Sequence, residues 1–284
     1  MDLRYAESHL YTISVKKGVL PVDSIELDRV KKSVSYRVLC VTGGECHLFI
    51  AGSSYRLQTN DICFLRPGDL YRTVPIQRMT VLNIYFTFER EAADRLDEIP
   101  ASDQENAVTR HNFTDLPLLN VPFVLKNFGE GIRIAEEMFS GAKRSAVLAH
   151  KQKDIQLEAL MMRIICQLET QEADRNQNRR ILSAVSQLVQ RNIHEQLTCR
   201  GVAAELGYHP NYLNRIVQDA KGVSLHRYIL EQKIKSITEE LTDSDKPIAQ
   251  IAQEYAFFDS SHLARSYFSV TKLRPSEVRR AAKK

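Results

Sequence analysis

Four polar side chains recur at helical spacing within a short segment, at Asn211, Asn214, Arg215 and Gln218. Positions i, i+3, i+4 and i+7 lie on one face of an α-helix, so these side chains are expected to project together. In the major groove of DNA, amide side chains pair with adenine and a guanidinium pairs with guanine. The segment therefore carries the chemistry of base recognition, although amides and arginines also occur on helix faces that are merely solvated.

The rest of the segment predicts how this face is positioned. Leu213, Ile216 and Val217 form a separate apolar face, which is expected to pack on a short preceding helix over residues 202–206. Between the two helices, Gly207 can adopt the left-handed conformation that ends a helix. Pro210 suits the first helical position, and His209 precedes it as the N-cap. The pattern is that of a helix-turn-helix unit.

The same pattern returns about fifty residues downstream. VAAELGY (202–208) corresponds to IAQEYAF (251–257), and after a slip of one residue Tyr212–Arg215 corresponds to His262–Arg265. Two copies in register arise by chance far less often than one, which favours base reading over simple solvation. The intervening segment 224–241 is predicted to be a long helix that fixes the separation of the units.

In the second unit Asp259 or Ser260 can cap the second helix, and three residues are expected in the core: Phe257, Leu263 and Tyr267. The outward-facing residues are predicted to be Ser260, Ser261, His262 and Arg265. Two recognition helices held about one duplex turn apart, ~34 Å, can enter successive major grooves of double-stranded DNA.

The charge distribution supports a polyanionic partner. The net charge of +4 is unevenly spread: from Arg175 onward there are 18 Lys and Arg against 11 Asp and Glu, whereas the preceding residues have an acidic excess. We expect Arg200, Lys221 and Arg265 to contact phosphates and set the orientation on the duplex. His209, at the start of the first recognition helix, is expected to lie at the same surface.

The N-terminal part has the signature of an all-β domain followed by helices. Short segments rich in β-branched and aromatic residues lie between Tyr36 and Phe88, and glycine-containing turns separate them. They predict an antiparallel barrel or sandwich at about 8–95. Two helices are expected at about 126–170, the second apolar over much of its circumference, which permits a homodimer as well as packing on the sheets. The polar stretch 169–180 is expected to end that helix, with a linker at 171–178.

The last hundred residues resemble the DNA-binding domain of the AraC/XylS family of transcription regulators. The resemblance is carried by VAAELGYHPNYLNRI, Gly222-Val223-Ser224 before HRYI, DSDKPIAQIAQEYAFFDSSHLARSYF and the closing RPSEVR. This sequence departs from the family pattern at Ala256, Lys272, Lys233 and Ile237. The resemblance implies a DNA-binding domain at 179–284, RNA polymerase as a partner, and a role as an activator, although sequence alone does not separate activators from repressors.

Residues 1–170 more weakly resemble the cupin-like sensor and dimerisation domain of such regulators, mainly through DICFLRPGDLY at 61–71. Candidate residues for binding a small-molecule effector, such as a carbohydrate, are Tyr36, Arg37, His47, Tyr55 and Tyr71. Enzymatic cupins place a metal-binding histidine where Tyr71 stands, and three protein ligands cannot be assembled from these strands. We therefore expect no catalytic residue, no metal and no cofactor. The alternatives are a cupin-type enzyme or sugar-binding protein, and a module that binds another protein rather than DNA.

Composition limits the cellular setting. The sequence has no apolar run of membrane-spanning length and no signal-peptide core near its start. The five cysteines show no paired metal-binding spacing, so reduced and mostly buried thiols are expected. These features indicate a cytoplasmic protein.

Overall fold

The computed structural model describes residues 1–22, 29–95, 108–140 and 146–282, and the chain divides into two compact units, Met1–Gln171 and Glu172–Lys284. Residues 283–284, at the end of the expected DNA-binding domain, lie outside the described residues. Among the described residues, no helix is both long enough and apolar enough to cross a membrane.

The first unit is built from short strands followed by helices. The strands are β1 (Asp2–Leu3), β2 (Tyr11–Leu20), β3 (Lys31–Lys32), β4 (Tyr36–Gly43), β5 (Glu45–Ile50), β6 (Ser53–Gln58), β7 (Ile62–Leu65), β8 (Leu70–Pro75), β9 (Met79–Thr87), β10 (Asn112–Phe113) and β11 (Phe123–Leu125). They form an antiparallel five-stranded sheet in the order β11-β7-β4-β9-β2, an antiparallel four-stranded sheet in the order β3-β8-β5-β6, and a parallel β1-β10 pair. The predicted β-rich domain followed by helices is confirmed, with its strands in open sheets.

Side-chain alternation along β4 divides the core of this unit into two layers. Leu39 and Val41 point toward the four-stranded sheet, where they join a buried cluster that includes Leu48 of β5. Val38 and Cys40 point the opposite way, into a larger cluster shared with the helices. A strand buried on both faces lacks polar alternation, which is why the sequence reads as a nearly continuous apolar run.

The helices of the first unit are α1 (Arg90–Arg95), α2 (Gly129–Ser140) and the start of α3 (Ala146–Arg191). Leu157, Leu160, Met161 and Ile164 of α3 are buried in the helix-facing cluster. The prediction that the stretch 169–180 ends this helix is wrong, because α3 continues without a break through Arg191. The stretch lacks helix-breaking glycine and proline, and its Glu, Gln and Arg residues are good helix formers.

Helices alone form the second unit: after the end of α3 come α4 (Cys199–Glu205), α5 (Pro210–Lys221), α6 (Leu225–Asp243), α7 (Ile248–Glu254), α8 (Ser260–Thr271) and α9 (Pro275–Ala282). The all-helical fold expected for this part is confirmed. One apolar cluster joins these helices, and Tyr228, Ile234 and Leu241 of α6 lie within it. The helix that connects the two helix-turn-helix units, α6, therefore contributes to their shared core.

Lys233 is a buried cation in the middle of α6. Its Nζ donates to the carbonyl oxygen of Glu195 at 2.6 Å and to that of Tyr255 at 2.9 Å. Only 7% of the residue is exposed, and burial lowers the pKa of its amine. Because Tyr255 is the C-cap of α7, this ammonium satisfies a helix-end carbonyl that has no partner within the helix. Lys233 thus joins the turn before α4, the connecting helix and the second helix-turn-helix unit.

All five cysteines are free thiols. Cys40, Cys46 and Cys63 are buried in the sheets, and burial raises the pKa of each to about 12. Cys166 is exposed and Cys199 is half-buried. The expectation of buried thiols therefore holds for the three sheet residues and not for Cys166.

Candidate nucleic-acid interface

The first helix-turn-helix unit consists of α4, a tight turn and α5. Gly207 lies in the turn with φ of 72°, the left-handed region that glycine adopts without steric cost. His209 is the N-cap of α5, since its Nδ1 accepts from the amide of Asn211 at 3.3 Å, and Pro210 is the first helical residue. The turn chemistry predicted for these positions is confirmed.

The second helix-turn-helix unit has residues with side chains at the two positions where the first has left-handed glycines. Ala256 takes the place of Gly207 with φ of 54°, and Lys272 takes the place of the C-cap Gly222, with φ of 63° against 74°. A left-handed conformation costs about 1–2 kcal/mol for a residue with a side chain. The departures from the family pattern at these two positions thus keep a left-handed residue in the turn and at the helix end.

The faces of α5 separate as the spacing predicts. Leu213, Ile216 and Val217 are buried in the core of the second unit. Asn211 and Gln218 are exposed, and so is Arg215, whose guanidinium lies 5.5 Å from the centre of the Tyr212 ring. A stacked guanidinium loses less conformational entropy on forming a two-point contact. Arg215 is therefore both accessible and oriented.

Asn214 has a structural contact that the sequence does not reveal. It is half-buried, and its Oδ1 accepts from the amide of Leu225, the first residue of α6, at 2.9 Å. Two-point recognition of adenine requires both the oxygen and the nitrogen of an amide. With its oxygen engaged at α6, Asn214 has only its Nδ2 donors for a base contact, so the outward reading face consists mainly of Asn211, Arg215 and Gln218.

The second unit places its predicted residues at the start of α8. Asp259 is the N-cap, and its Oδ1 accepts from the amide of His262 at 2.6 Å. The remaining predicted residues, Ser260, Ser261, His262 and Arg265, are all exposed. His262 also accepts at its Nδ1 from the amide of Phe258 and packs edge-on against Phe257, so part of its ring serves the turn.

The residues expected to contact phosphates lie on exposed positions around these helices. Arg200 is in the first turn of α4, Lys221 is at the last residue of α5, and Arg265 is in the middle of α8. Arg227 of α6 donates to the carbonyl oxygen of Ser269 at 3.2 Å, which fixes the end of α8 to the connecting helix. The cations and the two recognition helices thus belong to one packed helical unit.

In the compact unit Met1–Gln171, which contains the sheets, the five candidate effector residues do not lie together. Tyr36 points into the helix-facing core, where its hydroxyl accepts from the amide of His111, and burial raises its pKa to about 12. His47 is exposed on β5, and Tyr55 packs at the margin of the inter-sheet cluster. Only Arg37 and Tyr71 are in direct contact, with Nη1 of Arg37 donating to the Tyr71 hydroxyl at 2.7 Å.

Two further residues complete the surroundings of Arg37. Its Nε and Nη2 donate to Oδ1 of Asn83 at 2.9 and 2.6 Å, and its guanidinium lies 5.3 Å from the centre of the Tyr85 ring. Burial acts to lower the pKa of Arg37, but Tyr71 and Tyr85 raise it, and the net direction is upward. Sequence reasoning missed Asn83, although an amide inside the apolar run MTVLNIYFTF is a usable signal.

Arg37, Tyr71, Asn83 and Tyr85 form a cluster, the Arg37 cluster. Its member Tyr71 lines an open groove of about 880 Å³. Its lining includes Ser53, Arg66, Asp69 and Arg110, and Arg110 pairs with Asp69 at 3.2 Å. Among the residues that the structure describes, no group of three or more His, Cys, Asp or Glu side chains could hold a metal ion. The groove itself offers polar side chains and the ring of Tyr71 to a small molecule.

Comparison with known families accounts for both units. A family model described as an AraC-like ligand binding domain matches residues 31–189, which is more than half of the chain. A second model, described as a helix-turn-helix domain, matches residues 202–281. The two matched regions follow the order of the sheets and the helix-turn-helix units.

Individual proteins resemble one or both regions. The multiple antibiotic resistance protein MarA of Escherichia coli (strain K12) is 26% identical over 105 residues, covering 37% of this chain and 83% of MarA. An uncharacterized HTH-type transcriptional regulator of Staphylococcus aureus (strain COL) is 20% identical over 262 residues, or 92% of this chain, which spans only 33% of that relative. A solved AraC-type regulator from Chromobacterium violaceum is 24% identical, covering 37% of this chain and 93% of that structure, with a TM-score of 0.35.

Proposed function

Since the chain belongs to the AraC family of transcription regulators, with an AraC-like ligand-binding domain and a helix-turn-helix DNA-binding domain, we propose that it is an effector-responsive, sequence-specific activator of bacterial metabolic genes. It acts in the cytoplasm, without catalysis or a cofactor. Its partners are double-stranded DNA, RNA polymerase, a small-molecule effector and a second copy of the chain.

The observation that carries the DNA-binding proposal is the outward face of α5. Arg215, Asn211 and Gln218 are exposed on a helix whose opposite face is fully buried, and the helix begins at a capped turn. In helix-turn-helix proteins the second helix enters the major groove and its N-terminal residues contact base edges. Arg215 donates to O6 and N7 of a guanine, while Asn211 contacts adenine. The second unit enters the next major groove on the same side of the duplex.

Salt dependence of DNA binding tests this proposal. If Arg200, Lys221 and Arg265 each neutralise one phosphate, the logarithm of the binding constant falls against the logarithm of salt concentration with a slope of about −2.7, roughly −0.9 for each contact. Fluorescence anisotropy of a labelled duplex, titrated with the full chain between about 50 and 200 mM salt, measures the slope. Binding that is insensitive to salt, or absent at the lower concentration, contradicts the proposal.

For the effector we propose the Arg37 cluster and the adjoining groove as the binding site. Three nitrogens of Arg37 donate to neutral oxygens of Asn83 and Tyr71, so its positive charge is hydrogen-bonded without neutralisation by these residues. Buried charges in proteins are ordinarily paired. A sugar acid supplies the missing carboxylate, and its ring fits in the groove beside Tyr71. Of the other candidates, Tyr36 and His47 point away from this cluster, and Tyr55 packs at the margin of the apolar cluster between the sheets.

We expect Arg37→Met to abolish effector binding. A ligand at a hundred times its Kd stabilises the native protein by about 2.7 kcal/mol, and loss of a charge-assisted contact removes most of that shift. A thermal-shift screen of neutral sugars and sugar acids against wild type identifies the ligand, and the screen is repeated with the variant. Arg37→Lys tests whether a positive charge without the guanidinium group is enough for effector binding. Arg78→Met is the control for loss of an arginine from the exposed surface. An unchanged shift in Arg37→Met contradicts this site.

A second copy of the chain is proposed as the partner of α3. Leu148, Ile155 and Met162 recur every seven residues and are 61%, 58% and 56% exposed. This repeat matches one of the two core positions of a coiled-coil heptad. An antiparallel second copy centred on Ile155 places Leu148 of each copy opposite Met162 of the other, so the exposed apolar side chains cover one another.

Ile155→Glu should convert this dimer to a monomer, because it places two carboxylates in an apolar seam. Sedimentation equilibrium at micromolar concentration measures the change in mass. Phe139→Glu is the control, since Phe139 is 48% exposed and belongs to α2 rather than to α3. A wild-type chain that sediments as a monomer, or a variant that remains dimeric, contradicts this interface.

A further inference from the structure

The turn of the second helix-turn-helix unit contains one residue more than that of the first. In the first unit only Tyr208 separates the left-handed Gly207 from the N-cap His209. In the second unit the left-handed residue is Ala256 and the N-cap is Asp259, so two residues lie between them. Phe257 packs against the core as Tyr208 does. The additional residue is Phe258.

Phe258 is an apolar side chain presented to solvent at the start of α8. Its exposure is 92%. The surrounding backbone is fixed by several contacts: the amide of Phe258 donates to Nδ1 of His262 at 3.4 Å, Asp259 caps the helix, and Phe257 packs on the His262 ring. The exposed ring is therefore attached to an anchored turn before the N-terminus of α8. That is the end of the helix that would meet base edges in a major groove.

Two positions of the α8 face are also apolar where α5 has amides. With the N-caps of the two helices aligned, Arg265 corresponds to Arg215 of the first unit, and Ala264 and Phe268 correspond to Asn214 and Gln218. Phe268 is 49% exposed. Beside Arg265 and the hydroxyls of Ser260 and Ser261, the second helix-turn-helix unit thus presents two exposed phenyl rings.

The major groove offers one apolar feature to such a face, the C5-methyl group of thymine. The cationic Arg265 on the same face, and the excess of Lys and Arg in this half of the chain, favour a polyanion over a neutral protein surface as the partner. We propose that the second helix-turn-helix unit reads thymine through its methyl group, with Phe258 as the principal contact. This inference rests on the proposed DNA-binding function.

Deoxyuridine substitution tests the contact, because deoxyuridine pairs like thymidine and lacks only the methyl group. A duplex selected from a random pool by the full wild-type chain is resynthesised with each thymidine replaced in turn by deoxyuridine. We expect one replacement in the half bound by the second unit to weaken wild-type binding about fourfold, the change that burial of one methyl-sized group produces. Phe258→Ala should bind the unmodified duplex about fourfold more weakly and should be insensitive to that replacement.

The outcomes separate this inference from the proposed function. If the pool yields no motif, sequence-specific binding fails and this inference fails with it. If a motif emerges but the deoxyuridine replacements affect wild type and Phe258→Ala equally, only the thymine contact is overturned. Unchanged DNA binding by Phe258→Ala together with lost transcription activation would instead identify Phe258 as a protein contact. Phe139→Ala removes an exposed phenylalanine from α2, outside the two helix-turn-helix units, and should bind DNA like wild type.

Discussion

Arg215→Ala is expected to weaken binding to the selected duplex by about 1–3 kcal/mol and to relax discrimination at one base pair. The expectation follows from geometry: Arg215 is exposed on the outward face of α5 and stacked on Tyr212, so its two parallel donors are available to a guanine. The variant removes no core contact, since the buried residues of α5 are on the opposite side. Anisotropy titrations against the selected duplex and its single-base variants measure both effects.

Lys221→Ala is the matched control for that experiment. Lys221 is exposed at the last residue of the same helix and is expected to contact a phosphate, which carries no sequence information. Its loss should weaken all duplexes by a similar factor and reduce the salt slope by about 0.9. A uniform loss for Arg215→Ala, with base preference intact, would mean that Arg215 contacts the phosphate backbone of DNA instead of a base. The reading face would then be misassigned.

Lys233→Met is expected to destabilise the helical unit by about 2–4 kcal/mol. The methionine keeps an apolar stem of similar length but leaves the carbonyl oxygens of Glu195 and Tyr255 without their donor. A buried acceptor without a partner costs about 1–3 kcal/mol, and hydrogen bonds to charged groups are stronger than neutral ones. Urea unfolding of the full chain, followed by helical circular dichroism, measures the change.

Two variants on the same helix sharpen this test. Lys235→Met changes an exposed lysine two residues away and should alter the free energy of unfolding by less than about 0.5 kcal/mol. Lys233→Arg keeps the charge and the donors, so it should recover much of the stability. A Lys233→Met chain as stable as wild type would show that the two carbonyl groups find other partners.

The local chemistry of the first helix-turn-helix unit could be predicted residue by residue. Gly207, His209 and Pro210 each have a conformational preference that the turn satisfies, and the 3.6-residue period separates the buried from the exposed side chains of α5. These features depend on neighbours within one turn of helix, which a sequence displays directly. The double unit and the β-rich first unit follow from the same kind of local pattern.

What could not be predicted depends on contacts between distant segments. The hydrogen bond from Leu225 to Asn214 joins two helices, and the contacts of Lys233 join segments 38 and 22 residues away. Tyr36 and Arg37 are adjacent in sequence, yet the strand pleat sends one to the helix-facing core and the other toward Tyr71 and Asn83. Which face of a buried strand meets which layer is set by sheet packing rather than by the sequence of that strand.

The wrongly predicted end of α3 has a local cause. A polar stretch without apolar residues has the composition of a linker, and it also has the composition of a solvated helix. Residues 169–180 contain no glycine or proline, so the helix that begins before them is not interrupted. The absence of a helix breaker is therefore the better indicator here than the loss of apolar periodicity.

Selection of duplexes from a random DNA pool by the full chain is the most direct test of sequence-specific binding by the two helix-turn-helix units. We expect a motif with two short conserved elements separated by about one helical turn, roughly 10–10.5 base pairs from centre to centre. A guanine in one element should lose its conservation when the selection is repeated with Arg215→Ala. Recovery of no enriched motif, or of the same motif from the variant, would contradict this expectation.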